Sequence, residues 1–374
     1  MRLVTTESLK DGMKLGKPVY NEHGQVLISD GVALTVRMIN RLIELGITFV
    51  YIDDPRTDDI TSKSPLSEKL RKEAIQTIET TFADIKNEQS YSKAFVIEKT
   101  AKHFTDIIRS IMKELKNNQD LLTLLADVYT YDNYIFTHSL NVTMYSLAIG
   151  MELKLSDKQL ETIGMGAILH DVGKMMVPLD VLMKPGKLTD KEFEEVKKHA
   201  EYGFSILRDI PTVSLVSAHC AFQHHERLDG SGYPRGIKGD DIHFFGRLLA
   251  VADVFDAVTS NRVYRDAMLP HEGLEILYAG VGSKFETKIV EAFRRSVAVY
   301  PVGLTVELND GRKGIVAKQN HGISDRPIIR ILEESGQQLS DPYEINLKEK
   351  LDLMIINCDT TQIGKLHDGV GAKR

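Results

Sequence analysis

Residues 164–174 read GMGAILHDVGK, and this stretch decides how the fold and the function of the whole chain are interpreted. Apolar residues typical of a buried helix lead to His170 and Asp171, after which Gly173 turns the chain and Lys174 follows. An imidazole beside a carboxylate provides two metal ligands at one point, and a carboxylate can bridge two ions. Taken alone, the pair is more often a helix C-terminus whose histidine interacts with the helix dipole. The metal interpretation therefore depends on the rest of the sequence.

The composition indicates a soluble globular protein of more than one domain. The 374 residues exceed one ordinary domain, and 42% hydrophobic with 27% charged residues allow a sizeable core. The net charge of −6 argues against general binding of nucleic acid or of an anionic membrane. Two cysteines, Cys220 and Cys358, are too few for a disulfide framework, which favours a cytoplasmic location. The sequence has neither the apolar run of a signal peptide nor one long enough to span a membrane, so we expect no membrane insertion.

Two small modules are predicted to flank a helical middle. Residues 1–54 predict an α+β module, with a hairpin signal at 21–24, a helix that ends at Gly46 and a β-branched strand at 47–52. Residues 55–65 are rich in turn-forming residues and predict a linker. Short β-like runs and a turn signal at 309–311 predict a β-rich module over residues 301–356, and the polar tail 357–374 is expected to be disordered.

Helical periodicity fills the segment between these modules. Residues 66–118 predict two long amphipathic helices broken near 87–92, which either belong to the central bundle or form a hairpin for dimerisation and signalling. Residues 119–300 predict a domain of helices with short connections, including helices at 134–151, 157–169, 190–207 and 245–260. The expected fold class is mainly α, a helical bundle flanked by a small N-terminal α+β module and a small C-terminal β-rich module.

Further side chains of the metal-ligand type lie at core-like positions of this helical segment, namely His138, His199, His224, His225 and Asp253. A buried carboxylate between Ala252 and Val254 is costly unless it is paired or bound to metal. A single helical histidine is more often a satisfied core or surface residue, but several in one domain make that explanation unattractive. Together with His170 and Asp171, five histidines and two aspartates suffice for two divalent ions, a bridging carboxylate and a bridging water.

A tight loop and two arginines lie close in sequence to these residues. Residues 229–234 (DGSGYP) force an irregular turn that presents Tyr233 directly after the histidine pair. Such a loop is placed to hold a phosphate or a base, although a surface turn has the same composition. Arg262 and Arg265 are spaced to direct two guanidinium groups at one anion, with helix capping and surface charge as the alternative.

The order of these residues resembles the HD-GYP family, cyclic di-GMP phosphodiesterases within the HD superfamily of metal-dependent phosphohydrolases. The resemblance covers residues 121–300, and its most specific part is the HHExxDGxGYP string that begins at His224. It implies an HD-type helical bundle with two divalent ions, iron or manganese, and Asp171 as the bridging carboxylate. The implied metal ligands are His138, His170, Asp171, His199, His224, His225 and Asp253.

The resemblance also implies roles in catalysis and in substrate binding. Asp171 and Lys174 are the implied catalytic residues, and Lys174 would steady the scissile phosphate. The dinucleotide would be bound by Lys174, Tyr233, Arg262 and Arg265.

One position departs from the family pattern. Members with three metals carry a glutamate four residues before the first histidine, and Tyr134 stands there in this sequence. We therefore expect two metals rather than three. Whether Asp132 or Asp256 holds a third ion more loosely stays open, as does whether hydrolysis stops at the linear dinucleotide or continues to GMP.

The functional hypothesis is metal-dependent hydrolysis of cyclic di-GMP to linear pGpG, with GMP as an open second product. The nucleophile would be a hydroxide that bridges two metal ions about 3.5–4 Å apart. One alternative is a non-catalytic cyclic di-GMP receptor or scaffold, which the complete set of ligand types disfavours. Another is an HD hydrolase of a different cyclic dinucleotide, which the GYP loop disfavours. A homodimer or signalling protein partners are left open.

Overall fold

The computed structural model describes residues 1–20, 26–45, 47–60, 65–87, 93–117, 134–182, 184, 186–260, 268–320 and 322–358. Within these ranges the side chains of Lys93, Ala94 and Tyr134 are not described. The predicted tail therefore lies outside the described residues, except for its first two positions. The turn residues at 21–24 and the predicted helix cap at Gly46 also lie outside them.

The N-terminal module contains two antiparallel strand pairs and one helix. Strand β1 (Arg2–Thr5) pairs with β4 (Phe49–Ile52), and β2 (Val19–Tyr20) pairs with β3 (Val26–Ile28). Helix α1 (Val36–Glu44) begins where the Thr35 side chain accepts a hydrogen bond from a backbone amide of the first turn. The sequence predicts all of these elements except β1, whose partner strand lies more than forty residues away along the chain.

The central bundle is built from eleven helices among the described residues. In chain order they are α2 (Glu68–Asn87), α3 (Lys93–Asn117), α4 (Tyr134–Glu152), α5 (Asp157–Leu169), α6 (Leu179–Leu182), α7 (Asp190–Lys197), α8 (His199–Leu207), α9 (Leu215–Gln223), α10 (Phe244–Thr259), α11 (Pro270–Ala279) and α12 (Thr287–Ser296). The single helix predicted over 190–207 is divided at Lys198 into α7 and α8. This division places His199 at the start of a new helix.

Helices α2 and α3 belong to the core of this bundle. Ile78 and Phe82 of α2 and Ile108 of α3 are fully buried in the same apolar cluster as Leu147 of α4 and Ile168 of α5. Their apolar faces are therefore covered by the central helices. Of the two alternatives that the sequence left open, the packing favours the one in which these helices are part of the bundle.

The C-terminal module is a five-stranded antiparallel sheet with the strand order β8-β7-β6-β5-β9. Its strands are β5 (Thr305–Leu308), β6 (Lys313–Asn320), β7 (Ile323–Glu334), β8 (Gln337–Asn346) and β9 (Ile355–Cys358). The predicted runs fall in β5, β6 and β7, and Gly311 takes a positive φ in the turn between the first two. The sequence does not predict β8, because this edge strand is polar, mostly exposed and interrupted by Pro342.

The two flanking modules share one apolar core. Leu3 and Tyr51 of the N-terminal module are buried with Leu304 and Ile315 of the C-terminal sheet. The Tyr51 hydroxyl donates a hydrogen bond to the backbone carbonyl of Val302 at 3.0 Å. The modules that are farthest apart in sequence therefore pack against each other beside the bundle.

The predicted fold class is confirmed: a mainly helical bundle is flanked by a small α+β module and by a small β-sheet module. In the part of the chain that the structure describes, the helices lack the length and apolar character that crossing a membrane requires.

Candidate metal centre

The structure brings the seven predicted metal-ligand residues to one place in the bundle. They come from five helices or helix ends: His138 on α4, His170 and Asp171 after α5, His199 at the start of α8, His224 and His225 after α9, and Asp253 on α10. Six of these side chains are essentially buried, and that of His225 retains 18% of its exposure. Two triplets are compact enough to hold an ion, with ligand atoms within 4.8 Å of one another: His138, His170 and Asp171, and His199, His224 and His225.

Local sequence features fix the positions of the helix ends that carry His170 and His199. A capping box between Ser156 and Gln159 starts α5, whose apolar residues are buried up to His170. Gly173 then packs so closely on α8 that an added Cβ would overlap the carbonyl oxygen of His199 and lie 2.5 Å from the backbone nitrogen of Gly203. Only glycine permits this approach, which brings the two segments that carry His170 and His199 together.

Three of the histidines are oriented by backbone carbonyl groups. Their Nδ1 atoms donate to a carbonyl three or four residues earlier: His170 to Ala167 at 2.7 Å, His199 to Val196 at 2.6 Å and His224 to Cys220 at 3.1 Å. Because the proton is on Nδ1, the lone pair of each ring is on Nε2. These Nε2 atoms face Asp171 at 3.4, 3.6 and 3.9 Å, respectively. A hydrogen bond to the remote ring nitrogen is the usual way in which proteins orient a metal-binding histidine.

His138 is oriented by a carboxylate instead. Its Nδ1 lies 2.6 Å from Oδ2 of Asp256, while its Nε2 lies 3.1 Å from Oδ1 of Asp253. The other oxygen of Asp256 accepts hydrogen bonds from Asn141 at 2.9 Å and from Ser260 at 3.2 Å. Both oxygens of Asp256 are thus engaged in orienting protein groups, which argues against its use as a ligand for a third ion.

The role of Asp256 is the functional feature that sequence reasoning missed. It lies three residues after Asp253 on the same apolar helix. This spacing places both carboxylates on one helix face, so the sequence alone could have indicated that Asp256 lies near the metal-ligand residues. Asn141, three residues after His138, could be found in the same way. Neither spacing reveals which carboxylate faces the pocket and which one supports a histidine.

Asp171 belongs to one triplet and lies within 4 Å of two histidines of the other, His199 and His224. Its Oδ2 accepts a hydrogen bond from the Lys174 ammonium at 2.5 Å. Its Oδ1 is buried and, among the described residues, has no hydrogen-bond partner, and the same holds for Nε2 of His170. A buried, unpartnered carboxylate oxygen is unfavourable unless another group balances it. Oδ1 of Asp171 and Nε2 of His170 are therefore two potential metal-ligand atoms that lack a hydrogen-bond partner among the described residues and face a common space.

Electrostatics keep the donors in the forms that bind cations. Burial lowers the pKa of His199 to about 4 and holds the pKa of His170, His224 and His225 below its ordinary value, so these rings are neutral near pH 7. Burial acts to raise the pKa of Asp171, but the positive charge of Lys174 beside it helps to hold the pKa well below its ordinary value, so the carboxyl is ionised.

His138 shows the opposite pKa shift. Burial acts to lower the pKa of its ring, but the hydrogen bonds to Asp253 and Asp256 outweigh burial and raise the pKa. A positive charge is therefore favoured between these carboxylates. Neutral imidazoles, ionised carboxylates and this preference for positive charge fit divalent cations.

The loop after the histidine pair closes one side of the pocket. A Cβ on Gly232 would overlap the carbonyl oxygen of His225 and lie 2.5 Å from the backbone nitrogen of Arg227, so the loop packs directly on the histidine pair. The Tyr233 ring stacks on the His225 ring with centroids 4.5 Å apart and planes at 27°. Lys174 reaches the pocket through Asp171, with 15% of its side chain exposed.

Some predicted positions fall outside what the structure describes. Arg262 and Arg265 lie outside the described residues, as does Asp132, and the side chain of Tyr134 is not described. Their predicted roles are neither supported nor opposed by the geometry.

Comparison with known proteins agrees with this site. The HD domain model matches residues 97–289, and the model of a KOW domain associated with the HD domain matches residues 305–364. The chain is 34% identical over 243 residues to a cyclic di-GMP phosphodiesterase of Pseudomonas aeruginosa, a match that covers 65% of this chain and 58% of that protein. It is 42% identical over 151 residues to the cyclic di-GMP phosphodiesterase response regulator RpfG of Xanthomonas campestris, covering 40% of each chain.

A relative whose name gives a different substrate also matches. The chain is 41% identical over 155 residues to a 3′3′-cGAMP-specific phosphodiesterase of Vibrio cholerae, covering 41% of this chain and 30% of that protein. In each of these comparisons the chain spans less than two thirds of the curated relative. The HD model covers more than half of the 374 residues. The chain therefore belongs to the HD domain family, and the resemblance to its HD-GYP members is confirmed.

Proposed function

We propose that this chain is a metal-dependent phosphodiesterase that hydrolyses cyclic di-GMP to linear pGpG. The observation that carries the proposal is the position of Asp171, which belongs to one ligand triplet and lies close to the histidines of the other, with one buried oxygen that has no hydrogen-bond partner among the described residues. Two curated relatives named as cyclic di-GMP phosphodiesterases are 34% and 42% identical to this chain over their matches, which supports the choice of substrate.

We propose that two divalent ions, iron or manganese, bind at this centre. His138, His170 and Asp253 would hold one ion and His199, His224 and His225 the other, with Asp171 shared between them. Such ions lower the pKa of water and neutralise charge on phosphoryl oxygens. The backbone carbonyls and Asp256 contribute by fixing four of the five rings, all except that of His225, with Nε2 toward the pocket before any cation arrives.

The remaining proposed roles belong to side chains at the pocket rim. Lys174 places a positive charge beside Asp171, where it would stabilise the negative charge that develops on the scissile phosphate. The Tyr233 ring stacks on the His225 ring and is therefore fixed at the rim of the pocket, where it would contact the dinucleotide. Arg262 and Arg265 are proposed for substrate binding on the family resemblance alone. A cytoplasmic location likewise stays a prediction from the two cysteines, both of which are free and buried.

A second candidate is hydrolysis of a different cyclic dinucleotide. The relative named as specific for 3′3′-cGAMP is 41% identical over its match, which is as similar as the cyclic di-GMP relatives. A non-catalytic receptor is less well supported, because all seven predicted ligand residues are present and converge.

The test is a direct assay of the purified, metal-loaded protein with several cyclic dinucleotides, with the products separated by chromatography. His170→Ala and Asp171→Ala are expected to abolish turnover while circular dichroism shows a folded protein. His103→Ala is the matched control, because His103 lies on α3 with 49% of its side chain exposed. Hydrolysis of cyclic di-GMP by either site variant at the parent rate would show that the assignment is wrong.

A further inference from the structure

Phe193 is a large apolar side chain left exposed beside the pocket. It lies on α7, the helix that directly precedes His199, and 45% of its surface is exposed. A single exposed aromatic ring is common on protein surfaces and has no meaning by itself. Its neighbours decide whether it belongs to the site.

The Phe193 ring is the outer member of a connected series of rings. It packs edge-to-face on Tyr233 with centroids 6.4 Å apart and planes at 80°. Tyr233 in turn stacks on His225, whose ring faces that of His199 at 5.0 Å. The series runs from the buried histidine triplet to the surface, so an exposed aromatic face adjoins the pocket where the phosphodiester would react.

A lysine accompanies the two outer rings. Lys197 is four residues after Phe193 on α7, which places both side chains on one face of the helix. Its ammonium lies 4.8 Å from the Phe193 centroid and 5.6 Å from the Tyr233 centroid, and it pairs with Glu194 at 2.6 Å. The cation lies over both rings and helps to fix them, and it adds positive charge to this aromatic surface.

We propose that Phe193 is a substrate-binding residue that stacks on one purine base of the cyclic dinucleotide. The inference rests on the proposed function, which supplies a substrate with a purine on each side of the phosphodiester. Aromatic side chains take bases by their π faces, and the loss of one such stack weakens binding about 5- to 150-fold. Phe193 and Tyr233 together form an aromatic shelf that leads outward from the metal centre.

The experiment compares KM and kcat for cyclic di-GMP in the metal-loaded full chain and its variants. Phe193→Ala is expected to raise KM about 5- to 150-fold with a much smaller change in kcat, since a remote stacking contact contributes mainly to binding. Phe193→Trp is expected to recover most of the loss, whereas Phe193→Leu, which is apolar but has no ring, should not. Phe95→Ala is the matched control, because Phe95 is 66% exposed on α3.

A second readout reports stacking itself. A cyclic dinucleotide that carries 2-aminopurine loses fluorescence when this base stacks, so the parent protein should quench it and Phe193→Ala should quench it less. The inference is overturned if Phe193→Ala has the KM of the parent and quenches equally, while the parent hydrolyses cyclic di-GMP. If the parent hydrolyses no cyclic dinucleotide, the proposed function fails and the inference fails with it, so the two failures are distinguishable.

Discussion

Asp256→Asn should selectively weaken one of the two proposed metal sites. Oδ2 of Asp256 lies 2.6 Å from Nδ1 of His138 in a position that is only 1% exposed, so the substitution removes a charge-assisted hydrogen bond from a buried ligand. The amide keeps the size of the side chain and its contacts with Asn141 and Ser260 can be re-formed. Loss of such a supporting group costs about 10- to 100-fold in metal affinity, or about 1.4–2.7 kcal/mol.

The assay is a calorimetric titration of chelator-stripped protein with Mn²⁺. The parent should show two binding events, and Asp256→Asn should weaken the one that involves His138 and leave the histidine triplet of the other ion intact. Asp240→Asn is the control, because this carboxylate lies just before α10 and is 99% exposed. Parent-like binding of both ions would refute the reasoning, and so would equal weakening of both sites in a variant whose circular dichroism is unchanged.

Three further predictions concern folding and the modules. Phe82→Ala should lower the free energy of unfolding by about 3–5 kcal/mol in urea titrations, because the ring is fully buried in the core of the bundle; a loss below 1 kcal/mol would contradict its place there. Gly173→Ala should lower the free energy of unfolding by about 1–3 kcal/mol and also weaken Mn²⁺ binding, because the added methyl group displaces the His199 carbonyl. A variant that binds Mn²⁺ with the affinity of the parent in calorimetry would contradict this. Hydrogen bonding to Arg330 lowers the pKa of Asp59 from 3.8 to about 2. The ionised carboxylate therefore adds at most about 1 kcal/mol to the free energy of unfolding above pH 4, and this contribution is lost as the pH falls toward 2. Thermal unfolding between pH 2 and 5 should show the loss in the parent and not in Asp59→Asn.

The residues that converge at the candidate centre could be predicted because their signals are local. His170 and Asp171 end an apolar helix, and Asp253 is a carboxylate inside an apolar run, so each is anomalous within its own segment. Helices α4 and α5 are long and strongly apolar, and their predicted bounds agree with the structure to within one residue. The chemistry of the site follows from residue type, which a sequence displays directly.

The remaining features depend on contacts between distant segments. Asp256 supports His138 from 118 residues away, and no local pattern specifies that pairing. Strand β1 pairs with β4, and its Leu3 forms a β-bridge with Leu304 of the C-terminal module, so both contacts are with distant segments. Phe193 has an ordinary helical setting in the sequence and gains its meaning only from the approach of Tyr233. Long-range packing decides these features, and local propensity does not contain it.

The most direct test of the central claim is anomalous X-ray diffraction from crystals of the iron- or manganese-loaded protein. The claim is that Asp171 joins two cations held by His138, His170, His199, His224, His225 and Asp253. It predicts two anomalous peaks in the pocket, both in contact with the Asp171 carboxylate. A pocket without a peak, or a single ion that does not touch Asp171, would contradict it.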